Sequence, residues 1–352
     1  ASRGLGVGPW RSFFKIAFPM ALPALITGIS LMCMEIMNEL GTFALLNIPS
    51  ISTGIAENWI IEGNPKSAIG LSLVALLIIF TLIIFEKFSR RKSKRWSENP
   101  ASKDSQGWEL KKTRALLAIT ISLFPPIFSF GIPCFWVLLN IDQIQKGLSI
   151  ELLTLSFRTI SLGFFTALIT MLFSLIISLS RRPNKSLFLG IITNLAGIGY
   201  AIPGTVLALS LISISSSRFN FIAICLLIWG YLVRFLTISK GSIDSSLERI
   251  SPSLDEAALG LGEDWLGIIK RIHLPLLQGP IFVGSLLVFV DTIKELPITF
   301  ILRPFDFDTL SVRIYQYAGD ERMVEAILPA ILVMTLGLIA SMTLIPSLEK
   351  KN

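Results

Sequence analysis

Two pairs of acidic residues lie in apolar parts of the sequence, where charged side chains are unusual. Glu35 and Glu39 form one pair, and Asp291 and Glu295 form the other. The members of each pair are four residues apart, so on a helix they would share one face. Hard cations such as Fe³⁺ favour oxygen ligands, and a charge inside an apolar segment indicates function. The two pairs therefore predict an acidic path for a cation.

The same carboxylates also allow a structural interpretation. They would anchor the chain at a membrane interface, or Glu295 would pair with Lys294 or Arg303. The only histidine, His273, excludes a His-rich metal cage and is expected to be solvated. The three cysteines have no CxxC or Cys/His spacing, so neither a disulfide framework nor a zinc site is indicated. We predict no catalytic residue, no resident metal and no cofactor bound by the chain.

The composition indicates a membrane protein. Residues of the AVILMFWYC set make up 52% of the 352 residues and charged residues 16%, and the mean hydropathy is +0.70. A soluble chain carries about 25% charged residues. The net charge of +7 arises from Lys and Arg clustered in short loops. Such clusters are typical of membrane topology rather than of nucleic-acid binding, so no nucleic-acid partner is predicted.

Eight stretches are long enough for helices that cross a membrane, which need about 20 apolar residues. Cations are concentrated in segments 87–114, 181–186 and 240–275, which places these loops and both ends of the chain in the cytoplasm. The fold class is therefore an all-α polytopic protein of the plasma (inner) membrane. The predicted spans are 19–40, 67–88, 115–139, 158–180, 187–213, 219–239, 276–298 and 323–346.

The sequence repeats at an offset of 256 residues, without a gap over about 90 residues. The offset pairs Glu35 with Asp291 and Glu39 with Glu295. One period holds six spans, an even number, so both copies share one orientation. We interpret 1–92 as the last part of a first copy with two spans, 93–112 as a cytoplasmic linker and 113–352 as a second copy with six spans. The chain is thus expected to be an N-terminally truncated piece of a protein with about twelve spans.

Segment 255–280 reads DEAALGLGEDWLGIIKRIHLPLLQGP and carries a spaced motif. A Gly follows the Glu of the EAA stretch by six residues, and the Pro of an Ile-x-Leu-Pro follows that Gly by thirteen. This segment closely resembles the EAA loop of binding-protein-dependent ABC importer permeases. The matching residues are Glu256, Ala257, Ala258, Gly262, Ile272, Leu274 and Pro275, and in the first copy Ala1, Gly6, Ile16 and Pro19.

The resemblance implies the type I permease fold of ABC importers and a coupling role for the loop. In the family, a short helix in this loop sits in a cleft of the cytoplasmic ATPase and transmits its movement. Gly262 is expected to end that helix, and Pro275 to start the next one in its first turn. The alternative is an amphipathic helix on the membrane surface. No G-x-x-x-x-G-K-[ST] phosphate loop occurs, so ATP and Mg²⁺ are expected on a partner ATPase dimer.

Two further segments bear on the cargo. FVDTIKELPITFILRPFDFDTLSVRIYQYAGD (289–320) and GYAIPGTVLAL (199–209) resemble ferric-iron importer permeases. The resemblance implies Fe(III) delivered by a periplasmic binding protein. Thiamine, polyamine, sulfate or molybdate remain alternative cargoes, and an ion-gradient-driven secondary transporter is an alternative mechanism. An oxyanion carrier would need cationic or amide groups near its mouth rather than carboxylates.

Three residues interrupt the apolar span 187–213: Gly199, Pro203 and Gly204. A proline inside a helix removes a backbone hydrogen bond and kinks it. Such a kink is tolerated in a membrane where the backbone meets protein or a water-filled path. The three residues therefore predict either a lining of the pore or a kink that serves packing.

Overall fold

The computed structural model describes residues 8–93, 110–144, 149–183, 186–214 and 220–349. Within these ranges every regular element is helical and no strand occurs, which confirms the all-α fold class. Short π-helical turns at Phe13–Ala17, Ile127–Gly131 and Ile269–His273 connect several helices. The α-helices are α1 (Pro9–Ser12), α2 (Phe18–Asn38), α3 (Gly41–Leu45), α4 (Ile51–Ile60), α5 (Pro65–Ser93), α6 (Thr113–Pro126), α7 (Ile132–Leu139), α8 (Ile141–Ile144), α9 (Ile150–Ser180), α10 (Leu187–Ala196), α11 (Gly204–Ile214), α12 (Asn220–Leu247), α13 (Pro252–Gly260), α14 (Trp265–Ile268), α15 (Leu274–Ile293), α16 (Pro297–Leu302), α17 (Leu310–Gly319) and α18 (Met323–Glu349).

The described chain is polytopic, as its composition predicts. Six helical stretches are long and apolar enough to cross a membrane, and the 21-residue α2 occupies the first predicted span. Most boundaries fall within a few residues of the prediction, but α9 begins eight residues earlier and α12 continues eight residues further. The six stretches are Pro65–Phe85, Thr113–Leu139, Ile150–Ser180, Ile222–Leu247, Trp265–Ile293 and Met323–Thr343.

The span predicted over 187–213 is broken in the structure. The chain there forms two helical pieces, Leu187–Ala201 and Gly204–Ile214, which meet at a bend of 112°. The first piece ends in a 3₁₀ turn at Gly199–Ala201, and the backbone of Ile202 is extended. Pro203 lacks an N–H and cannot continue the helix, and its predecessor is biased toward extended backbone. The break therefore follows from the local sequence.

The predicted start and end of the span 276–298 also need correction. A continuous helical stretch runs from Trp265 to Ile293, and within it Pro275 lies in the first turn of α15. The π-helical turn Ile269–His273 ends two residues before this proline. Prolines remove a hydrogen bond from the helical ladder, and local π adjustments accommodate the loss.

The repeat in the sequence is also a repeat of helices. α1, the π turn Phe13–Ala17, α2 and α3 begin at residues 9, 13, 18 and 41. The matching elements α14, the π turn Ile269–His273, α15 and α16 begin at 265, 269, 274 and 297. Each start is displaced by 256 residues, the offset found in the sequence.

The core lies where α9, α12 and α15 pack together. Leu162 of α9, Tyr231 and Phe235 of α12 and Val288 of α15 belong to one buried apolar cluster. A second cluster joins the two copies: it contains Leu40 and Ala56 from the first and Leu296 and Val312 from the second. The two copies therefore share buried apolar contacts at their interface.

Close packing at the bend depends on a glycine. Gly199 lies against the backbone of α12, and a Cβ there would overlap the carbonyl oxygen of Val233. A backbone atom cannot move aside as a flexible side chain does, so any larger residue must displace the helix.

We expect Gly199→Ala to destabilise the protein by about 1–3 kcal/mol, because it overpacks this contact. Gly241→Ala in α12 is the matched control, since nothing lies within 4 Å of its added Cβ. Alanine favours a helix over glycine by about 1 kcal/mol, so the control should be neutral or stabilising. Melting temperatures of the full-length protein in detergent measure both changes. Equal melting temperatures for the two variants would contradict the packing argument.

Candidate functional site

A cavity of about 420 Å³ lies between the two copies, at the ends of α2 and α15. All four predicted carboxylates line it: Glu35, Glu39, Asp291 and Glu295. The fold therefore brings together two acidic pairs that are 256 residues apart in sequence. Further lining residues come from the helix break, α12 and α17.

Glu39 and Glu295 perform the same local task in the two copies. Glu39 Oε1 accepts a hydrogen bond from the Thr42 backbone N–H at 2.8 Å. Glu295 Oε1 accepts one from the Ile298 backbone N–H at 3.0 Å. Thr42 and Ile298 are themselves related by the 256-residue offset, so the repeat preserves the bond. Each carboxylate thus satisfies an otherwise unpaired N–H at the start of a short helix, α3 or α16.

This capping changes two expectations about Glu295. Because α15 ends at Ile293, Glu295 and Asp291 do not share one helical face. Nor does Glu295 pair with Lys294 or Arg303. Its Oε2 instead accepts hydrogen bonds from the backbone N–H and the hydroxyl of Thr299, at 3.1 and 2.9 Å. The side chain is only 6% exposed, and both oxygens serve α16.

The two other carboxylates face the cavity with basic partners. Lys294 Nζ lies 2.9 Å from Asp291 Oδ1 and 3.9 Å from Glu35 Oε1. Arg234 NH2 lies 3.7 Å from Glu35 Oε2. Glu35 and Asp291 keep part of their surface exposed and, unlike the similarly exposed Glu39, cap no helix, so they are the carboxylates most available to an ion.

Arg234 is the residue of the site that the sequence analysis missed. Its side chain is 2% exposed, within an otherwise apolar stretch of α12. NH1 donates to Asn38 Oδ1 at 2.8 Å and to the Ile202 carbonyl at 3.2 Å. An arginine inside an apolar span is costly and indicates function, and this signal was present in the sequence.

Two phenols also line the cavity. The Tyr200 hydroxyl donates to Glu35 Oε2 at 2.8 Å. Tyr315 of α17 packs edge-on against Phe300, with ring centroids 5.0 Å apart. Burial, and after it the charge of Glu57, raises the pKa of Tyr315 above its ordinary value. Tyr315 therefore presents a neutral hydroxyl.

The residues of the predicted pore kink lie beside the cavity rather than on its wall. Gly199, Pro203 and Gly204 are buried, and from this turn it is Tyr200 that reaches the cavity. A Cβ on Gly204 would come within 3.0 Å of Asn38 Oδ1 and of Glu295 Oε1. The Gly204 backbone N–H donates to Asn38 Oδ1 at 2.6 Å. This placement favours the packing interpretation of the kink.

The cavity is acidic without being a metal cage. Its lining holds four carboxylates and two basic side chains. Among the described residues, no three His, Cys, Asp or Glu side chains are close enough together to hold a metal ion.

The second candidate site is the segment that contains α13. This helix ends at Gly260, and Gly262 has a φ of +86°. The Glu263 backbone N–H donates to the Ala258 carbonyl at 3.1 Å, which closes the helix in a Schellman arrangement. The chain turns back at Gly262, as its residue type predicts.

α13 presents a small apolar surface to the outside. Glu256 and Ala257 are exposed, whereas Ala258 packs inward. Four leucines of the same segment are between 45% and 86% exposed: Leu254, Leu259, Leu261 and Leu266. Apolar groups gathered on a polar loop are typical of a surface that a partner covers.

Asp255 fixes this segment to three other parts of the fold. Its Oδ2 accepts a hydrogen bond from Arg182 Nε, and its Oδ1 lies 3.1 Å from His273 Nε2. Arg182 also donates to the Leu247 and Ile250 carbonyls, each at 2.9 Å, at the end of α12. One cluster of side chains therefore joins the ends of α9 and α12 to α13 and to the start of α15.

The expectation that His273 is solvated is wrong. Its side chain is fully buried, 5.7 Å from the Trp265 ring. The sequence places a carboxylate 18 positions before the histidine, and only the turn at Gly262 brings the two together.

The remaining residues of the predicted coupling motif fall in different surroundings. Ile272 and Leu274 are partly buried, and Pro275 is exposed. In the first copy Ile16 and Pro19 are exposed. Ala1 and Gly6 lie outside the described residues.

Comparison with known proteins gives two matches. Residues 1–94 match a family described as the binding-protein-dependent transport system inner membrane component. Over 335 residues the chain is 25% identical to the Haemophilus influenzae protein named Fe(3+)-transport system permease protein FbpB 2. The alignment covers 92% of the chain and 66% of that relative, so the chain spans just under two thirds of the relative's length.

The long apolar helices and the repeated unit define the class as an all-α polytopic membrane protein. Over residues 1–94 the chain is similar to the inner membrane components of binding-protein-dependent transport systems. The family match falls on the first copy, which includes α2, Glu35 and Glu39.

We expect Asp255→Asn to destabilise the segment by about 3–5 kcal/mol, because it leaves the largely buried Arg182 without its counter-charge. Glu263→Gln is the matched control, since Glu263 pairs with the exposed Arg271 at the surface. A surface pair contributes about 0–1 kcal/mol. Melting temperature and the rate of tryptic cleavage within 249–271 report the difference. Equal cleavage rates in both variants would refute a fastening role for Asp255.

Proposed function

We propose that the chain belongs to an ABC importer permease, powered by a separate cytoplasmic ATPase dimer. One observation carries this proposal: the α13 segment combines the EAA spacing with an exposed Ala257 and four exposed leucines. The family match supports it independently, because that match lies at the other end of the chain. Nucleotide and Mg²⁺ would bind to the ATPase subunits.

The proposed orientation follows from the distribution of cations. Segments 87–114, 181–186 and 240–275 carry most of the loop Lys and Arg and would face the cytoplasm, as would both ends of the chain. α13 would then lie on the cytoplasmic side, where an ATPase can reach it. The acidic cavity would open toward the outer face.

The proposed mechanism is alternating access. Closure of the ATPase dimer would move α13, and the Asp255 cluster would pass this movement to α9, α12 and α15. The continuous helix from Trp265 to Ile293 links the coupling segment to the rim of the cavity. Movement at one end would thereby change access at the other.

The proposed cargo is ferric iron delivered by a periplasmic binding protein. Supporting it are the excess of carboxylates in the cavity, the two segments that resemble iron permeases and the name of the relative. Thiamine, polyamine, sulfate and molybdate are the alternatives. Uptake that persists after inactivation of the ATPase and collapses with an uncoupler would instead indicate a secondary transporter.

Docking of the ATPase can be tested on α13. We expect Ala257→Arg in the full-length permease to reduce co-purification of the ATPase at least tenfold. A long charged side chain would prevent close approach at an exposed position without disturbing the interior. Glu62→Arg, an exposed change far from this segment in sequence, is the control. Undiminished ATPase recovery with Ala257→Arg would show that the partner binds elsewhere.

The cargo can be tested with radiolabelled iron. We expect the full-length permease, its ATPase and its binding protein to take up iron in an ATP-dependent manner. Glu35→Gln combined with Asp291→Asn should lower this uptake at least tenfold, because these carboxylates face the cavity without capping a helix. Glu62→Gln, at matched protein level, should leave uptake unchanged.

Absence of iron uptake while the complex hydrolyses ATP would refute iron as cargo. Normal uptake by the double variant would refute the acidic path.

A further inference from the structure

The acidic cavity contains a positive charge that is held in place by the protein. Arg234 lies on the cavity wall, between the first and second copies. Its guanidinium is 3.7 Å from Glu35 Oε2, and its charge also acts on the buried carboxylate of Glu295. A cargo cation that binds Glu35 would compete with the guanidinium for this carboxylate.

The guanidinium is fastened only partly. Asn38 Oδ1 and the Ile202 carbonyl accept hydrogen bonds from the same nitrogen, NH1. NH2 has the long contact with Glu35, and the buried Nε has no hydrogen-bond partner among the described residues. The rings of Tyr200 and Phe235 lie 5.4 and 5.8 Å from the guanidinium carbon. Arg234 is therefore held in the cavity, although not all of its N–H groups have a hydrogen-bond acceptor there.

Lys294 is a poorer candidate for this role. Its side chain is 52% exposed and is paired with Asp291 one helical turn away. Arg234, by contrast, is 2% exposed and is bound to both copies. Arginine also keeps its charge at every physiological pH.

We propose that Arg234 is a tethered counter-cation, which neutralises the acidic cavity between loads and which an entering multivalent cation displaces. The guanidinium satisfies Glu35 when no cargo is present and opposes occupation by cations of low charge. A trivalent ion interacts more strongly with the carboxylates than a monovalent or divalent ion does, so it competes best. Arg234 thereby sets the charge that a cargo needs. This inference rests on the proposed cation path.

Binding of Tb³⁺, a trivalent ion that prefers oxygen ligands, tests the proposal without transport. The full-length permease in lipid nanodiscs is titrated with Tb³⁺, and the luminescence sensitised by nearby aromatic residues is recorded. We expect Arg234→Gln to bind Tb³⁺ at least tenfold more tightly than the unchanged protein. Arg234→Lys keeps the charge and should remain within about threefold of it. Adding Glu35→Gln to Arg234→Gln should abolish the gain, which locates the ion in this cavity.

Arg249→Gln is the matched control, because it removes an exposed arginine two residues beyond the end of α12 and outside the cavity. It should leave Tb³⁺ affinity unchanged. Unchanged or weaker Tb³⁺ binding by folded Arg234→Gln would overturn the proposal, and so would equal gains in the Gln and Lys variants. If Arg234 only stabilised the fold, Arg234→Gln would not be expected to bind Tb³⁺ more tightly than the unchanged protein.

A second variant keeps the test decisive if Arg234→Gln does not fold. Asn38→Ser removes the main hydrogen-bond partner of Arg234 without altering any charge and should tighten Tb³⁺ binding about threefold. Weaker binding would count against the proposal.

The result of the Tb³⁺ titration can be distinguished from that of the iron-uptake experiment. Tight Tb³⁺ binding by Arg234→Gln, without iron uptake by the unchanged permease, would refute iron as the cargo and leave the role of Arg234 intact. Iron uptake by the unchanged permease, with no effect of Arg234→Gln on the affinity for Tb³⁺, would refute the counter-cation role and leave iron as the cargo.

Discussion

The buried charge of Arg234 imposes the strongest constraint on this structure. A guanidinium in an apolar helix bundle has to be compensated by polar groups, and here those groups come from both copies. Asn38 and Glu35 lie on α2. The Ile202 carbonyl can accept a hydrogen bond from Arg234 because the chain is not helical at the break between α10 and α11. The bend of 112°, the end of α2 and the position of α12 are therefore mutually dependent. The cavity is the space that this arrangement leaves between them.

The duplication explains why the cavity contains carboxylates with different roles. Glu39 and Glu295 each cap the short helix that follows a long one, with the same hydrogen bond in both copies. Glu35 and Asp291 instead remain within α2 and α15 and face basic side chains. Two of the four carboxylates thus accept hydrogen bonds from backbone N–H groups at helix starts, and the other two remain available to an ion.

Much of this fold could be predicted from the sequence, because spans and repeats are regular patterns. The 256-residue offset correctly predicts matching helices, and the structure places the four acids around one cavity. The helix end at Ile293 could not be predicted, since it depends on a carboxylate turning to cap α16. Arg234 hardly changes the average hydropathy of its span, and its partner Asn38 is 196 positions away. The burial of His273 likewise depends on the turn at Gly262, a contact between separate elements.

The unbroken helix from Trp265 to Ile293 has a geometrical consequence. Its 29 residues extend over about 44 Å at about 1.5 Å per residue. If such a rod tilts by about 10° around its middle, each end is displaced by about 4 Å in opposite directions, by the same rise per residue. The π-helical turn near one end, at Ile269–His273, is the place where the rod is least regular and where bending would be concentrated. The point about which the helix tilts therefore decides how far its Ile293 end moves for a given movement of its Trp265 end. The closer that point lies to the π-helical turn, the larger is the movement at Ile293.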